Sequence, residues 1–258
     1  MLSLVNQIGR RTINLSRSIG AFTTFLITVI CGIFKLPIYF NLIYRQFLFI
    51  GFYSLPVVAM TAFFSGAVLA LQSYTGFSRF SAESSIATVV VLSITRELGP
   101  VLAGLMVAGR VGAAIAAEIG TMKVTEQIDA LYTLSTDPLK YLVIPRVIAA
   151  VIMLPCLVLI GDIIGVMGGY LVSVQKLGFN SSNYLTSTFK YLESIDVISG
   201  LVKAGAFGLI ISVVSCYNGY HSDKGAKGVG SATTKAVVMS SIFILLSNYL
   251  ITELFFKK

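Results

Sequence analysis

Arg96 and Glu97 stand side by side about ten residues into a long apolar stretch that begins near Ile86, and Lys203 lies early in another. A charge at mid-bilayer costs at least about 2.5–3.5 kcal/mol on insertion scales, so each of these groups needs a cavity or a partner. Adjacent helical residues point about 100° apart, so Arg96 and Glu97 do not fully satisfy each other. Glu97 is expected to pair with Lys203 across two helices, either as a structural fastening or as part of a gate. Gly99-Pro100 follows at once, and a proline inside a helix bends it and frees a backbone carbonyl. A bend beside buried charges suits the wall of a polar cavity, so Pro100 joins Arg96, Glu97 and Lys203 as a candidate gate residue.

A second group of charges lies between apolar stretches, in the run Glu118-Ile-Gly-Thr-Met122-Lys-Val-Thr125-Glu126-Gln127-Ile-Asp129-Ala-Leu131. This run is too polar to cross a membrane. Thr125 suits the N-cap of a helix through Glu126, Ile128 and Leu131, whose first turn holds Glu126 and Asp129 where the helix dipole favours them. Asp137-Pro138 ends it. Apolar residues on one face and carboxylates on another fit a docking element, and equally a solvated loop helix.

Motifs of soluble enzymes are missing. His221 is the single histidine, so no His-Glu-x-x-His site exists. Gly225-Ala-Lys-Gly-Val-Gly230-Ser231 superficially matches a phosphate loop but lacks the lysine that must follow its last glycine, and it reads as a flexible connector. Cys31, Cys156 and Cys216 are far apart and lie in or beside apolar runs. They form neither a disulfide framework nor metal-ligand spacing, and read as small packing residues. No catalytic residue, metal ligand or directly bound cofactor is expected.

The elements that position these charges follow from composition. Of 258 residues, 56% are hydrophobic and 12% charged, with a mean hydropathy of +0.88. Soluble domains carry about 25% charged residues, so the bilayer is the better solvent. A net charge of +8 raises nucleic-acid binding as a possibility. The Lys and Arg residues, however, stand singly or in pairs between apolar runs, and a cytoplasmic bias of positive charge accounts for them more simply.

Roughly 20 apolar residues cross the hydrocarbon core, and five segments qualify: 47–71, 86–116, 141–174, 197–217 and 236–256. The segment 19–34 is short and suits an interfacial helix, a sixth crossing being the alternative. Arg10, Arg11 and Arg17 before it imitate a signal peptide, but no small-x-small cleavage site follows, so it reads as retained. Within 1–20, Leu4, Val5, Ile8, Leu15 and Ile19 share one helical arc, with Asn6, Arg10, Asn14 and Arg17 opposite. Such a basic amphipathic helix lies on an anionic leaflet or against a partner. The expected fold is all-α and integral to the membrane, as one domain over 1–258. It has an N-terminal amphipathic interfacial region at 1–45 and a transmembrane bundle at 47–256 of about five helices. A cytoplasmic helix joins spans two and three.

With the N-terminus in the cytoplasm, eleven Lys and Arg residues fall on the inner side and five on the outer, while Arg96, Arg110 and Lys203 lie within spans. This bias places 118–137 and 217–235 in the cytoplasm. Small residues recur at spacing four in three spans: Gly104, Ala108, Gly112, Ala116 and Gly120; Gly161, Gly165 and Gly169; Gly200, Ala204, Gly208, Ser212 and Cys216. Such ridges let helix backbones approach closely, within one subunit or across a dimer seam.

The motifs Arg96-Glu-Leu-Gly-Pro100, Gly109-Arg110-Val-Gly112, Ala117-Glu118-Ile-Gly120-Thr-Met122, Thr125-Glu126-Gln127-Ile-Asp129-Ala-Leu131, Asp137-Pro138 and Pro145-Arg146 occur in order. Leu71-Gln72, Ser81-Ala82-Glu83, Asn218-Gly219-Tyr220 and Ala232-Thr233-Thr234 extend the set over nearly the whole chain. This ordered set closely resembles the MlaE/YrbE family, permease subunits of ABC-type lipid transporters associated with MCE proteins. After Asn218-Gly219-Tyr220 the chain departs from the more acidic or proline-containing loop common in that family, having His221-Ser-Asp-Lys-Gly-Ala-Lys instead.

The resemblance implies a homodimeric permease in a bacterial inner membrane with a cytoplasmic N-terminus. ATP and Mg would be bound by an MlaF-like partner ATPase. An MlaD-like MCE protein and a small STAS-domain protein are the other expected partners, phospholipid is the substrate, and the outcome is outer-membrane lipid asymmetry. It makes Glu118, Met122, Thr125, Glu126, Gln127, Asp129 and Leu131 the ATPase-coupling residues, and places Leu69 and Phe80 with Arg96 and Glu97 at a lipid cavity or gate. The alternative is a secondary transporter of an amphipathic substrate with Glu97 as its proton or ion site. A membrane-embedded lipid enzyme is disfavoured by the lack of clustered His, Asp or Ser.

Overall fold

The computed structural model describes residues 2–35, 39–80, 82 and 85–256, without the side chains of 2–12, 14, 15 and 80. The arc expected of Leu4, Val5, Ile8 and Leu15, and the cavity expectation for the Phe80 side chain, lie outside the described residues. Among the described residues every regular element is helical. In chain order these are α1 (Leu2–Ile33), α2 (Phe40–Ile50), α3 (Leu55–Phe77), α4 (Ile86–Ser93), α5 (Gly99–Val107), α6 (Ala113–Val124), α7 (Gln127–Thr133), α8 (Ile144–Gln175), α9 (Ser181–Lys190), α10 (Ser194–Tyr220) and α11 (Gly225–Phe256). Several join end to end. α2 and α3 make one bent unit, Phe40–Phe77, and α4, α5 and α6 make a 39-residue rod, Ile86–Val124.

Among the described residues six helices are long and apolar enough, by length and composition, to cross a membrane, one more than the five segments expected. The additional one is Ser16–Ile33. The sequence reading divided 1–20 from 19–34, whereas α1 continues unbroken through both. Its contacts shift rapidly along its length. The Phe22 ring meets Tyr217 at 5.2 Å and Phe243 at 6.3 Å, Phe25 meets Tyr217 and Tyr220, and Gly32 faces the side chain of Ile144. Within three turns α1 passes from α11 over the end of α10 to the start of α8, so it lies across these helices rather than alongside one.

α8 is the hub of the bundle, packed against α2, α3, α5 and α10. Its small-residue ridge makes this possible: a Cβ on Gly66 of α3 would stand 1.9 Å from the carbonyl oxygen of Gly165. Fifteen residues earlier along α8, a Cβ on Gly208 of α10 would stand 2.5 Å from the carbonyl oxygen of Ala150. The ridges are therefore used within the chain, where backbones in van der Waals contact replace the hydrophobic drive that lipid does not supply. Larger apolar side chains fill what remains, with Ile115, Leu154, Phe207 and Ile211 buried between α6, α8 and α10. The outer face of α11 exposes Leu245, Leu246, Tyr249, Leu250 and Leu254, an apolar surface suited to lipid.

Two smaller expectations are corrected. Gly225 to Ser231, read as a flexible connector, forms the first turns of α11. Gly225 takes φ +82 at the turn, and Gly228 packs on the carbonyl of Asp223. Of the cysteines only Cys216 is buried, while Cys31 and Cys156 are exposed.

Candidate functional site

Pro100 organises the first centre. It has no N–H to donate, and its ring crowds the carbonyl of the residue four back, Arg96. The rod accommodates this with a π-turn over Ile94–Leu98, in which the Gly99 N–H reaches the carbonyl of Ile94. The Arg96 carbonyl oxygen accepts instead from Lys203 Nζ at 2.7 Å. α10 comes this near because residue 200 is glycine; a Cβ there would stand 2.4 Å from the carbonyl oxygen of Thr95.

Lys203 is fully buried and also donates to Glu97 Oε1 at 2.8 Å, the pair expected from the sequence. Glu97 takes two further bonds from α11: Asn248 Nδ2 donates to Oε2 at 2.8 Å and Thr252 Oγ1 to Oε1 at 3.0 Å. Arg96 turns away, its Nε donating to Asp196 Oδ1 at 2.7 Å while its guanidinium lies 4.4 Å from the Phe256 ring centroid. Asp196, fully buried, also accepts from the backbone N–H of Glu193 in a reciprocal cap at the start of α10. The sequence reading missed Asp196, Asn248 and Thr252. Two cations and two carboxylates thus balance, and they fasten α10 and α11 to the π-turn. The Arg96 and Glu97 side chains remain 34% and 39% exposed, which leaves a polar rim in an apolar bundle.

Two further polar residues support the same rod, Arg110 partly buried and Asp162 buried. Arg110, in a second π-turn at Ala108–Gly112, donates to Ser54 Oγ at 2.7 Å and to the Phe49 carbonyl at 3.3 Å. It ties the rod to the joint between α2 and α3. Asp162 of α8 is 8% exposed, and its Oδ1 is buried without a partner against Gly99, where a Cβ would stand 1.8 Å away. Neither partnership was legible in sequence spacing. Leu69 is half-buried and packs on a small apolar cluster with Ala70, Ile86 and Val90.

The second centre is the other end of the rod, 27 residues from Glu97 to Val124 and so about 40 Å away at the helical rise. α6 carries Glu118 and Met122, and α7 follows after a tight turn. The expected cap at Thr125 is not formed. Thr125 closes α6, with its Oγ1 bonded to the Thr121 carbonyl, and Glu126 caps α7 in the left-handed region at φ 60. The turn is too short for Thr125 to serve α7, because the Glu126 N–H is already bonded to the carbonyl of Lys123.

α7 is held by buried Ile128, by half-buried Leu131, and by a 2.8 Å contact between the hydroxyls of Tyr132 and Tyr220. Met122 also packs inward, and Glu118 is ion-paired with Arg146 at 2.8 Å. Thr125, Glu126, Gln127 and Asp129 are exposed. The seven coupling candidates therefore separate into four facing outward and three engaged with the bundle.

The chain is similar to known proteins over most of its length. Residues 43–254 match the family described as Permease MlaE. A probable ABC transporter permease protein of Rickettsia bellii is 78% identical over 257 residues, covering 100% of this chain and 99% of its own. The intermembrane phospholipid transport system permease protein MlaE of Haemophilus influenzae is 34% identical over 99% of this chain and 98% of its own. A chloroplastic Arabidopsis thaliana protein, Trigalactosyldiacylglycerol 1, is 41% identical over 79% of this chain and 58% of its own. With a family match over most of its length and relatives that span it end to end, this chain belongs to the MlaE permease family, as a multi-pass membrane transport subunit rather than an enzyme.

Proposed function

We propose that the chain is the permease of an ATP-driven ABC transporter that moves phospholipid between the inner and outer membranes of a bacterium. It works as a homodimer in the inner membrane with its N-terminus in the cytoplasm. An MlaF-like ATPase binds ATP and Mg beneath it, an MlaD-like MCE protein receives or delivers lipid above, and a STAS-domain protein accompanies the ATPase. The observation that carries this reading is the exposed turn Thr125 to Asp129 at one end of a rod whose other end holds the Arg96–Glu97 cluster. A push on the turn reaches the cluster through one continuous helix.

The engagement of Glu97 by Lys203, Asn248 and Thr252 counts against its use as a free ion site. The test is purification of the complex, with mass spectrometry of bound lipid and a radiolabelled lipid-transfer assay. Co-purification of an ATP-hydrolysing subunit and nucleotide-dependent lipid transfer are expected. Transfer by the chain without an ATPase would overturn the reading.

A further inference from the structure

The four charges at the first π-turn neutralise one another and leave Asp162 no share. It stands near the middle of α8 (Ile144–Gln175), about 20 Å of helix from the nearer end, too deep for its short side chain to reach a headgroup. Among the described residues no cation is paired with it. α3, α4 and α5, which pack around it, carry no charged residue. On the π-turn and α10, Arg96, Glu97, Asp196 and Lys203 are bonded to one another. Arg146, the other charge of α8, lies about 24 Å back along the helix and is bonded to Glu118. Tyr44 and Arg45 of α2 stand before the contact of Gly51 with Met153, towards the start of α8. Tyr74 of α3 lies two turns beyond Gly66, Tyr170 and Tyr184 stand at Gly169, and Cys156 is exposed.

Asp162 Oδ1 is sealed from solvent, so neither water nor an ion reaches it. An ionised carboxylate there would have neither a cation nor a donor, which a membrane interior does not tolerate. A neutral carboxyl has one O–H to donate, and an acceptor stands close by. Oδ1 and the Ile94 carbonyl oxygen lie 1.8 and 2.9 Å from one and the same point, where a Cβ on Gly99 would stand. The Ile94 carbonyl receives the Gly99 N–H across the π-turn and keeps a second lone pair. Solvent is only one layer away. A void of about 10 Å³, room for about one water, lies beside this contact, with Thr61, Ser65, Gly99 and Gly161 among its walls.

We propose that Asp162 is a proton-binding site. It holds a proton, donated towards the Ile94 carbonyl, while α8 is closed on the π-turn, and releases it to water when the two part. On release the O–H bond breaks, its electron pair stays on the carboxylate and water takes the proton. Closing and proton uptake are linked, so each favours the other by the same factor. An asparagine would make the same bond and have nothing to exchange. Protonation follows from the packing alone, whereas release rests on the rod moving as proposed above.

Infrared spectroscopy of the full chain in nanodiscs at neutral pH, with aspartate carboxyls isotopically labelled to mark their bands, tests the resting state. A labelled band of a protonated carboxyl is expected, with complete loss in Asp162→Asn and in Asp162→Ala. The absence of such a band, or its survival in either folded variant, overturns the site. Trapping the complex with ATP and vanadate tests release. The band should vanish and a weakly buffered solution should gain a single proton per chain, with no such gain for Asp162→Asn. A band that persists through trapping in a complex that transfers lipid overturns the exchange. A resting band in a chain that neither binds an ATPase nor transfers lipid keeps the proton site and defeats the proposed function instead.

Discussion

The ammonium of Lys203 lies 2.7 Å from the carbonyl oxygen of Arg96, the acceptor that Pro100 deprives of its helical partner. The π-turn in the rod is thus completed by a side chain from another helix. Any rewinding of this π-turn must move α10 or leave a buried ammonium with one bond fewer.

Lys203→Met should therefore do more harm than Glu97→Gln. The first leaves the Arg96 carbonyl unbonded and Glu97 without its cation, at about 1–3 kcal/mol for each unsatisfied group. The second keeps an acceptor for Lys203 and for Thr252. Thermal unfolding in detergent should fall by several degrees for Lys203→Met and by less for Glu97→Gln, at about 2–4 °C per kcal/mol for a chain of this size. The swap Glu97→Lys with Lys203→Glu should recover only part of the loss, because a carboxylate at 203 cannot donate to the Arg96 carbonyl. Full recovery would show that charge pairing alone matters.

Gly66→Ala places a methyl 1.9 Å from the Gly165 carbonyl oxygen, where the main-chain atoms of α3 and α8 cannot separate without opening the bundle. A clear fall in unfolding temperature and in yield of folded protein is expected. Gly230→Ala, where nothing lies within 4 Å, should be neutral or mildly stabilising in the same assay, since alanine favours a helix interior by about 1 kcal/mol.

Gly99 and Asp162 form a steric pair. Gly99→Ala alone should destabilise, because the new methyl would meet Asp162 Oδ1. Adding Asp162→Ala removes the obstacle and the buried unpartnered oxygen together. The double variant should be more stable than the sum of the single effects, and a double-mutant cycle measures the difference. Additive losses would mean that the two side chains act independently.

Glu126 separates shape from charge. Its φ of 60 is one that glycine adopts freely and most residues resist. Glu126→Gly should keep α7 in place and remove the carboxylate, while Glu126→Lys reverses the charge. Pull-down of the partner ATPase should weaken with glycine and fail with lysine, with membrane insertion normal in both. Undiminished binding of the lysine variant would remove the docking role.

Much of this was legible in the residues. Arg96, Glu97 and Lys203 announce themselves because charge in an apolar run needs a partner, and the Glu97–Lys203 pair follows from geometry on two helices. Asp196 did not, because it stands just before the apolar stretch and reads as loop; the cap it forms with Glu193 is what draws it into the bundle. Asn248 and Thr252 are hidden for the opposite reason, as mildly polar residues inside a span. At the coupling end the segment was found but its cap was displaced by one residue, since a left-handed glutamate carries none of the signal that Gly or Asn would give.

The π-turn at Ala108–Gly112 has a geometric consequence for the run Gly104, Ala108, Gly112, Ala116 and Gly120. A repeat of four in a helix of 3.6 residues per turn drifts about 40° per step, so over four steps the row would rotate by about 160° and leave its neighbour. The wider turn absorbs one residue without advancing the phase, which takes back about 100°. Gly104 accordingly faces Phe207 and Gly112 faces Ser215, both of α10, and Gly120 faces Ser222 in the turn just past its end. The extra residue acts as a leap day does in a calendar, keeping a four-beat sequence in step with a helix that counts otherwise.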